Sequence, residues 1–323
     1  MASPNATFTE IVTTTLREHP GVIADNVSLH NALYRRLKTK NQIKKLDGGY
    51  EIVRPLDYAE NSTFQRYSGY DTLNISASDV LSSAKYDWVQ SAVNVTASGL
   101  ELRKNSGKNQ IVDLAKARLK NAMRTASNNM SVDLYSSGSL TNQMGGLGAI
   151  ITSDGTGTVG GIVAGTYTWW KNQFLEIASS NAWTKSTIRD SMQTLWISCV
   201  RGTDKPDLIV ATNDFYSAYW GGLTDAQRYT SDSENEANMG FQSLKFNTCD
   251  VINDVNSNFT ATGEKMYFIN SDYLELCVHS DANWTQLDDR NSVNQDAVVI
   301  PIIWQGQLVC SNRSLQGILL DAS

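Results

Sequence analysis

The chain has 323 residues, of which 41% are apolar, and carries a formal net charge of −6. That length accommodates two or three units of about 100–200 residues with a real core, and the apolar share excludes wholesale disorder. The mildly acidic balance excludes a global basic field for nucleic acid or anionic membrane.

The N-terminus, Met1-Ala2-Ser3-Pro4-Asn5, lacks a basic-then-apolar leader, and no run of about 18 apolar residues occurs. The sequence therefore predicts neither a signal peptide nor a membrane span. Residues 1–25 are Thr-rich with little periodicity and read as a weakly ordered arm. From Asn26 the stripe Val27, Leu29, Leu33 and Leu37 predicts a short amphipathic helix. It runs into a basic cluster of Arg35, Arg36, Lys38, Lys40, Lys44 and Lys45. That cluster suits packaged DNA, an acidic neighbour, or simply solvent.

Gly48-Gly49 marks a change. Tyr50-Glu51-Ile52-Val53-Arg54 reads as a strand stopped by Pro55, and Ala84 to Val95 as another, with Tyr86 and Trp88 on one face. The stretch between them has too few apolar residues for a core of its own. A projecting β-hairpin that needs a neighbour fits this pattern.

From Asn109 to Tyr135 apolar residues recur at Ile111, Leu114, Ala115, Leu119, Ala122, Met123, Ala126, Met130 and Leu134. That 3.6-residue period predicts a long helix, with Lys116, Lys120 and Arg124 on the opposite face. Residues 138–165 are Gly-rich and contain GxGxxG at Gly155, Gly157 and Gly160. A poor helix former, Gly161-Ile162-Val163-Ala164-Gly165, follows, so the dinucleotide context fails and a flexible connection is expected.

Residues 166–265 read as an α/β unit. It has a helix over Thr184–Val200, a strand after Pro206, a helix opened by Asn213, and a strand around Leu244–Ile252. The last part is β-rich, with strands over Met266–Ile269, Leu274–Val278, Ala297–Trp304 and Leu308–Cys310. A polar tip with Asp281, Asp288, Asp289 and Arg290 joins the middle pair, and Gln316–Leu320 forms a terminal strand.

Catalytic constellations are missing. The three histidines, His19, His30 and His279, show no ligand spacing, and HExxH, GxSxG and P-loop patterns are absent. Ser82-Ser83-Ala84-Lys85 matches SxxK without its partner motifs, and the acidic tip lacks an EF-hand pattern. Cys199, Cys249, Cys277 and Cys310 sit in apolar surroundings without CxxC spacing, which predicts buried reduced thiols in a cytoplasmic setting. No enzyme activity, cofactor or metal is expected.

The order of these parts resembles the HK97-fold major capsid proteins of tailed bacteriophages. Three runs carry the likeness: Leu46-Asp47-Gly48-Gly49-Tyr50-Glu51-Ile52-Val53-Arg54-Pro55-Leu56-Asp57-Tyr58; Met144-Gly145-Gly146-Leu147-Gly148-Ala149-Ile150-Ile151 with Tyr167-Thr168-Trp169-Trp170; and Trp304-Gln305-Gly306-Gln307-Leu308-Val309-Cys310-Ser311-Asn312-Arg313. It extends over nearly the whole chain from about residue 25.

The resemblance implies an α+β, HK97-like capsid fold. Residues 1–45 would be an N-arm and 46–100 an extended loop (E-loop) over an adjacent subunit. Residues 101–150 with 266–305 would be a P-domain with its spine helix over 109–135. Residues 151–265 with 306–323 would be an α/β A-domain. The implied function is a major capsid protein of the virion, assembled in the host bacterial cytoplasm as hexamers and pentamers of an icosahedral shell around phage double-stranded DNA. The implied partners are further copies, a separate scaffolding protein (since the chain begins almost at the arm), a portal, a decoration protein and non-specific DNA contact, with no membrane. Candidate inter-subunit contacts are Arg35, Arg36, Lys38, Phe64, Tyr67, Tyr70, Tyr86, Trp88, Asp288 and Arg290. Lys85 lies in the loop that one founding member crosslinks through a Lys–Asn isopeptide; nothing marks an Asn partner, so non-covalent interlocking is expected. Two other readings remain open: an encapsulin-type compartment of the same fold, and a small-molecule enzyme with its pocket at Gly155–Gly161.

Overall fold

The structure is a computed structural model describing residues 31–104, 114–177, 187–222, 244–254, 259, 263–287, 290–291 and 296–321. The expected arm, the start of the first helix and Asp288 lie outside the described residues. In chain order the elements are α1 (Ala32–Thr39), β1 (Ile43–Leu46), β2 (Ile52–Asp57), β3 (Leu81–Tyr86), β4 (Val89–Ser98), α2 (Gly99–Lys104), α3 (Leu114–Asp133) and α4 (Leu147–Ile150). There follow β5 (Thr158–Val159), β6 (Ile162–Val163), β7 (Gln173–Ile177), α5 (Thr187–Ser198), β8 (Leu208–Ala211), α6 (Asn213–Gly222), β9 (Leu244–Phe246) and β10 (Cys249–Asn253). The chain ends through β11 (Lys265–Ile269), β12 (Leu274–Gln286), β13 (Arg290–Asn291), β14 (Ala297–Cys310) and β15 (Gly317–Asp321).

Two compact units form. The first draws on described residues between 91 and 130 and between 282 and 304; the second on 31–90, 131–281 and 305–321. In the first unit β4 and β13 pair with β14, β13 in antiparallel register Arg290↔Val299. Val95, Ala122 and Ile302 are buried together, with Val93, Leu119, Trp284 and Ile300 packed around them. Arg118 on α3 donates to Glu101 on α2 at 2.9 Å and to the Thr96 carbonyl at 2.6 Å. That bond from Arg118 holds the Glu101 carboxyl below its usual pKa. Met123, expected on the buried stripe, is 41% exposed: only the face through Ala122 and Ala126 turns inward.

The second unit is built on a six-stranded sheet ordered β7-β15-β11-β8-β10-β9. β8 runs parallel to β10, β15 parallel to β7, and β11 antiparallel to both its neighbours. Leu208-Ile209-Val210-Ala211 and Lys265–Ile269 are buried throughout, the mark of strands covered on both faces. On one face Ile188, Met192 and Leu195 of α5 and Phe215 and Tyr219 of α6 pack over Ile209, Val251, Met266, Phe268 and Leu319. Each such buried side chain contributes about 1.5–3 kcal/mol before the entropy of ordering is subtracted. Helix α5 lies close: a Cβ on Gly317 would sit 2.5 Å from the Cys199 sulfur, so β15 has glycine where the helix crosses it.

Helix α1 docks on the same unit. The Asn31 side chain caps it by accepting from the Tyr34 amide at 2.8 Å, while Ala32, Leu33 and Leu37 are buried. After it, β1 adds to β12 in parallel.

Several expected boundaries shift. Pro55 does not stop its strand: β2 continues to Asp57, with Pro55 opposite Ser83. A two-stranded ribbon has an open edge toward which a residue without an N–H can face. The expected strand Ala84–Val95 is two strands, β3 pairing with β2 and β4 with β14. The break falls where Trp88 turns to donate from its indole to the Gly49 carbonyl at 2.9 Å. Leu244–Ile252 is a tight antiparallel pair, β9 and β10, turned at Asn247 with φ 52°. Ala297–Trp304 and Leu308–Cys310 merge into β14, carried through Gly306.

Candidate assembly surface

The second unit carries a β-ribbon, β2 with β3, whose far end opens into a long connection over residues 58–80. The ribbon closes where the Tyr58 amide donates to the Val80 carbonyl at 3.0 Å. Beyond that point order comes from local polar turns. The Asn61 side chain accepts from Thr63, Asp71 accepts from the Ser68 amide at 2.7 Å, and Gln65 bonds to Thr72 and Asn74.

The connection, with Leu81 at the start of β3, exposes its apolar side chains. Phe64 is 80% exposed, Tyr67, Leu73 and Leu81 are more than half exposed, and Tyr70 and Ile75 are almost fully so. Scattered exposed apolar residues are ordinary, but a run of them on one projecting loop marks an interaction surface. The Arg66 guanidinium lies 5.9 Å from the Phe64 ring, which leaves that ring's exposure largely intact.

The root is anchored by polar contacts. Arg54 pairs with Glu275 at 2.6 Å and donates to the Cys277 sulfur at 3.0 Å. Tyr86 is only 7% exposed; its hydroxyl donates to the Cys310 carbonyl at 2.9 Å. Trp88 is half-buried against His279, ring centroids 5.8 Å apart. Both were expected among exposed aromatics; instead they lock the root inside their own chain, because each polar tip finds a backbone partner there. The side chain of Lys85 lies 3.7 Å from Glu51.

Of the expected basic contacts, Arg36 forms ion pairs of 3.1 Å with both Asp207 and Asp250, and Lys40 reaches Asp207 and Asp272. Both thereby fasten α1 to the sheet. Arg35 and Lys38 make no ion pair among the described residues. Arg290 belongs to β13, its side chain outside the described set, and Asp288 lies outside it altogether.

The Gly-rich segment is not a phosphate cradle. Its GxGxxG run lies in the small ribbon β5–β6 and a turn at Gly160, and no α-helix opens on that run. A Cβ on Gly160 would lie 2.8 Å from that of Ala84, and φ is +61° there, so the glycine serves close packing against the hairpin. A cleft of about 520 Å³ is lined by Tyr135, Leu140, Gln143, Lys265 and Ile318 among others. Burial lowers the Lys265 pKa, and its amine lies 5.6 Å from the Phe259 ring centroid. Among the described residues no cluster of His, Cys, Asp or Glu is placed to hold a metal, and no helix is long and apolar enough to cross a membrane.

The sequence pointed to the loop but not to all of its exposed residues. Leu73 and Ile75, in the alternation Thr72-Leu73-Asn74-Ile75-Ser76, look like half of a strand pair. The alternation was the available signal; the absent partner strand was not visible in it.

A family model for the SU10 major capsid protein matches residues 84–321. No curated protein matches the sequence significantly. Among solved structures, the chain is similar to the capsid of cyanophage A-1(L), with 14% identity, a TM-score of 0.70, and 94% of this chain and 96% of that chain covered. It is similar to the capsid of a native GTA particle at 11% identity and TM-score 0.59, with 100% and 96% covered. It is also similar to the capsid of Myoviridae phage XM1, at 13% identity and TM-score 0.56, with 94% and 100% covered.

Proposed function

Because the chain belongs to the SU10 major capsid protein family and has the α+β fold of HK97-type capsids, it is a non-enzymatic shell protein of a phage virion, and on that premise we propose how it assembles. The loop over 58–80 of one copy lies across a neighbouring copy and buries its apolar side chains there. Copies gather as hexamers and pentamers of an icosahedral shell around phage double-stranded DNA. Assembly runs in the host bacterial cytoplasm with a separate scaffolding protein, a portal and a decoration protein. The domain plan keeps residues 1–45 as N-arm, 46–100 as E-loop, 101–150 with 266–305 as P-domain, and 151–265 with 306–323 as A-domain.

The observation that carries this is the exposed apolar run from Phe64 to Leu81 on a ribbon anchored at its root. Burying each large side chain contributes about 1.5–3 kcal/mol, which makes a single contact weak. Many such contacts per copy multiply into a stable shell, and head-to-tail interfaces close by rotational symmetry. Arg35 and Lys38 supply local positive charge toward DNA on an otherwise acidic chain.

Replacing residues 60–78 with a short Gly-Ser turn tests the interlocking role. The replacement leaves the Tyr58–Val80 closure in place. Folded, soluble subunits that form no shells are expected; closed shells from this variant overturn the proposal.

A further inference from the structure

The segment 157–170 grips the hairpin at two points. At the first, the Lys85 amide donates to the Gly160 carbonyl at 2.9 Å, and Ala84 and Tyr86 pack against the bare face of Gly160. At the second, Tyr58 stacks on Trp169, ring centroids 5.4 Å apart and planes 20° from parallel. Ala84 pairs with Arg54, and Tyr58, just past the end of β2, lies four residues farther along the chain, so the two grips are about 13 Å apart at ~3.3 Å per residue. One contact leaves a ribbon free to swing; two at that spacing fix its direction.

The segment is itself pinned. Arg313 is fully buried, and its guanidinium donates to the Ile150 carbonyl at 2.5 Å, to the Thr152 hydroxyl at 2.8 Å and to the Thr156 carbonyl at 2.8 Å. Among the described residues no carboxylate pairs with it. Its hydrogen-bond acceptors are all neutral, and the Asp154 carboxylate acts on it only through space; a buried cation so held is a costly choice for stability, which points to geometry as its purpose. Its planar fork suits three acceptors arranged around one turn, a task an ammonium performs poorly. The Trp170 indole, donating to the Val159 carbonyl at 3.0 Å, holds the next part of the same segment.

We propose that residues 150–170 form a bracket that sets the direction in which the loop leaves the subunit, and that Arg313 is the positioning residue that holds the bracket. The proposal rests on the reading of the loop as an inter-subunit lap. Direction matters because the loop is long. Six extended residues beyond the root, roughly 20 Å out, a tilt of about 10° moves a contact by about 3.5 Å. That is a full van der Waals contact distance, enough to lose a docking site. The bracket therefore governs whether shells close uniformly, more than whether the subunit folds.

The test compares Arg313→Lys, Trp169→Ala and Trp169→Phe with the parent chain. Thermal melting reports folding; negative-stain microscopy reports particle diameter and closure. Folded subunits that give open or mixed-diameter particles are expected from Arg313→Lys and Trp169→Ala. Trp169→Phe keeps a ring over Tyr58 and restores uniform shells. Uniform parental shells from both disruptive variants overturn the bracket. If Arg313→Lys fails to fold, the half-buried Trp169 decides alone, with Tyr58→Ala as its counterpart on the loop side. Closed uniform shells from the chain whose residues 60–78 are replaced refute the lapping loop instead, so the two failures are distinguishable.

Discussion

The hydroxyl of Tyr86 meets the backbone of Cys310 twice, donating to its carbonyl at 2.9 Å and accepting from its amide at 3.3 Å. This contact joins β3, the returning strand of the loop, to the end of β14. Tyr86→Phe keeps the ring and removes both bonds, leaving buried backbone groups of Cys310 without that partner. A loss of about 1–3 kcal/mol is expected, read as a lower urea midpoint with an unchanged slope.

Buried tyrosines make the subunit sensitive to alkali. Burial raises the pKa of Tyr86, Tyr135 and Tyr267 well above 10, and that of Tyr219 to about 12. In the unfolded chain these phenols ionise near pH 10. Below pH 10 both states hold the phenolic proton and the tyrosines cost no stability, whereas the four buried thiols begin to lower it from about pH 8.5. As pH rises above 10 the unfolded state releases protons that the folded state retains, so stability falls. Urea midpoints measured from pH 7 to pH 11 should decline above about 8.5, where the unfolded thiols ionise, and more steeply above about 10; Tyr86→Phe should flatten part of the steeper drop.

Arg36 bridges Asp207 and Asp250 from α1, and all three side chains are about one-fifth exposed. Arg36→Met leaves two adjacent carboxylates facing each other without that cation, although Asp207 keeps the Ser271 hydroxyl at 2.5 Å. A loss of about 1–3 kcal/mol is expected from breaking a partly buried pair. Added salt should shrink the difference from the parent, because screening weakens both the lost attraction and the new repulsion.

All four cysteines are free and buried. Burial pushes the thiols of Cys199 and Cys310 up to about 12 and Cys249 to about 11, and raises Cys277. At pH 8 they stay protonated and shielded, so a thiol reagent should label none of them in the native subunit and all four in urea. Rapid native labelling of Cys277, beside Arg54, would show that the loop root opens.

Much of this architecture is legible in the residues. The apolar run Leu208–Ala211, the Ile188–Met192–Leu195 stripe and the aromatic-rich 50–100 segment announce a two-faced sheet, a packed helix and a loop short of core. What the residues do not announce is long-range pairing. The GxGxxG spacing has a local look, but its meaning lies in Ala84, 76 residues earlier in the chain, packed on Gly160. Tyr86 and Trp88 read as loop aromatics because their partners, Cys310 and Gly49, are backbone groups that carry no side-chain signature. Arg36 belonged to a basic cluster until Asp207 and Asp250, distant in sequence, claimed it.

The most direct test of shell formation through the loop is the size of what the chain forms when co-expressed with its scaffolding protein. Light scattering and negative-stain microscopy would compare the parent chain with a Phe64→Ser, Tyr67→Ser, Tyr70→Ser variant under identical assembly conditions. Closed megadalton particles are expected from the parent, and folded but dispersed subunits from the triple variant. A parent that stays monomeric or dimeric, or a triple variant that closes normal shells, would contradict it.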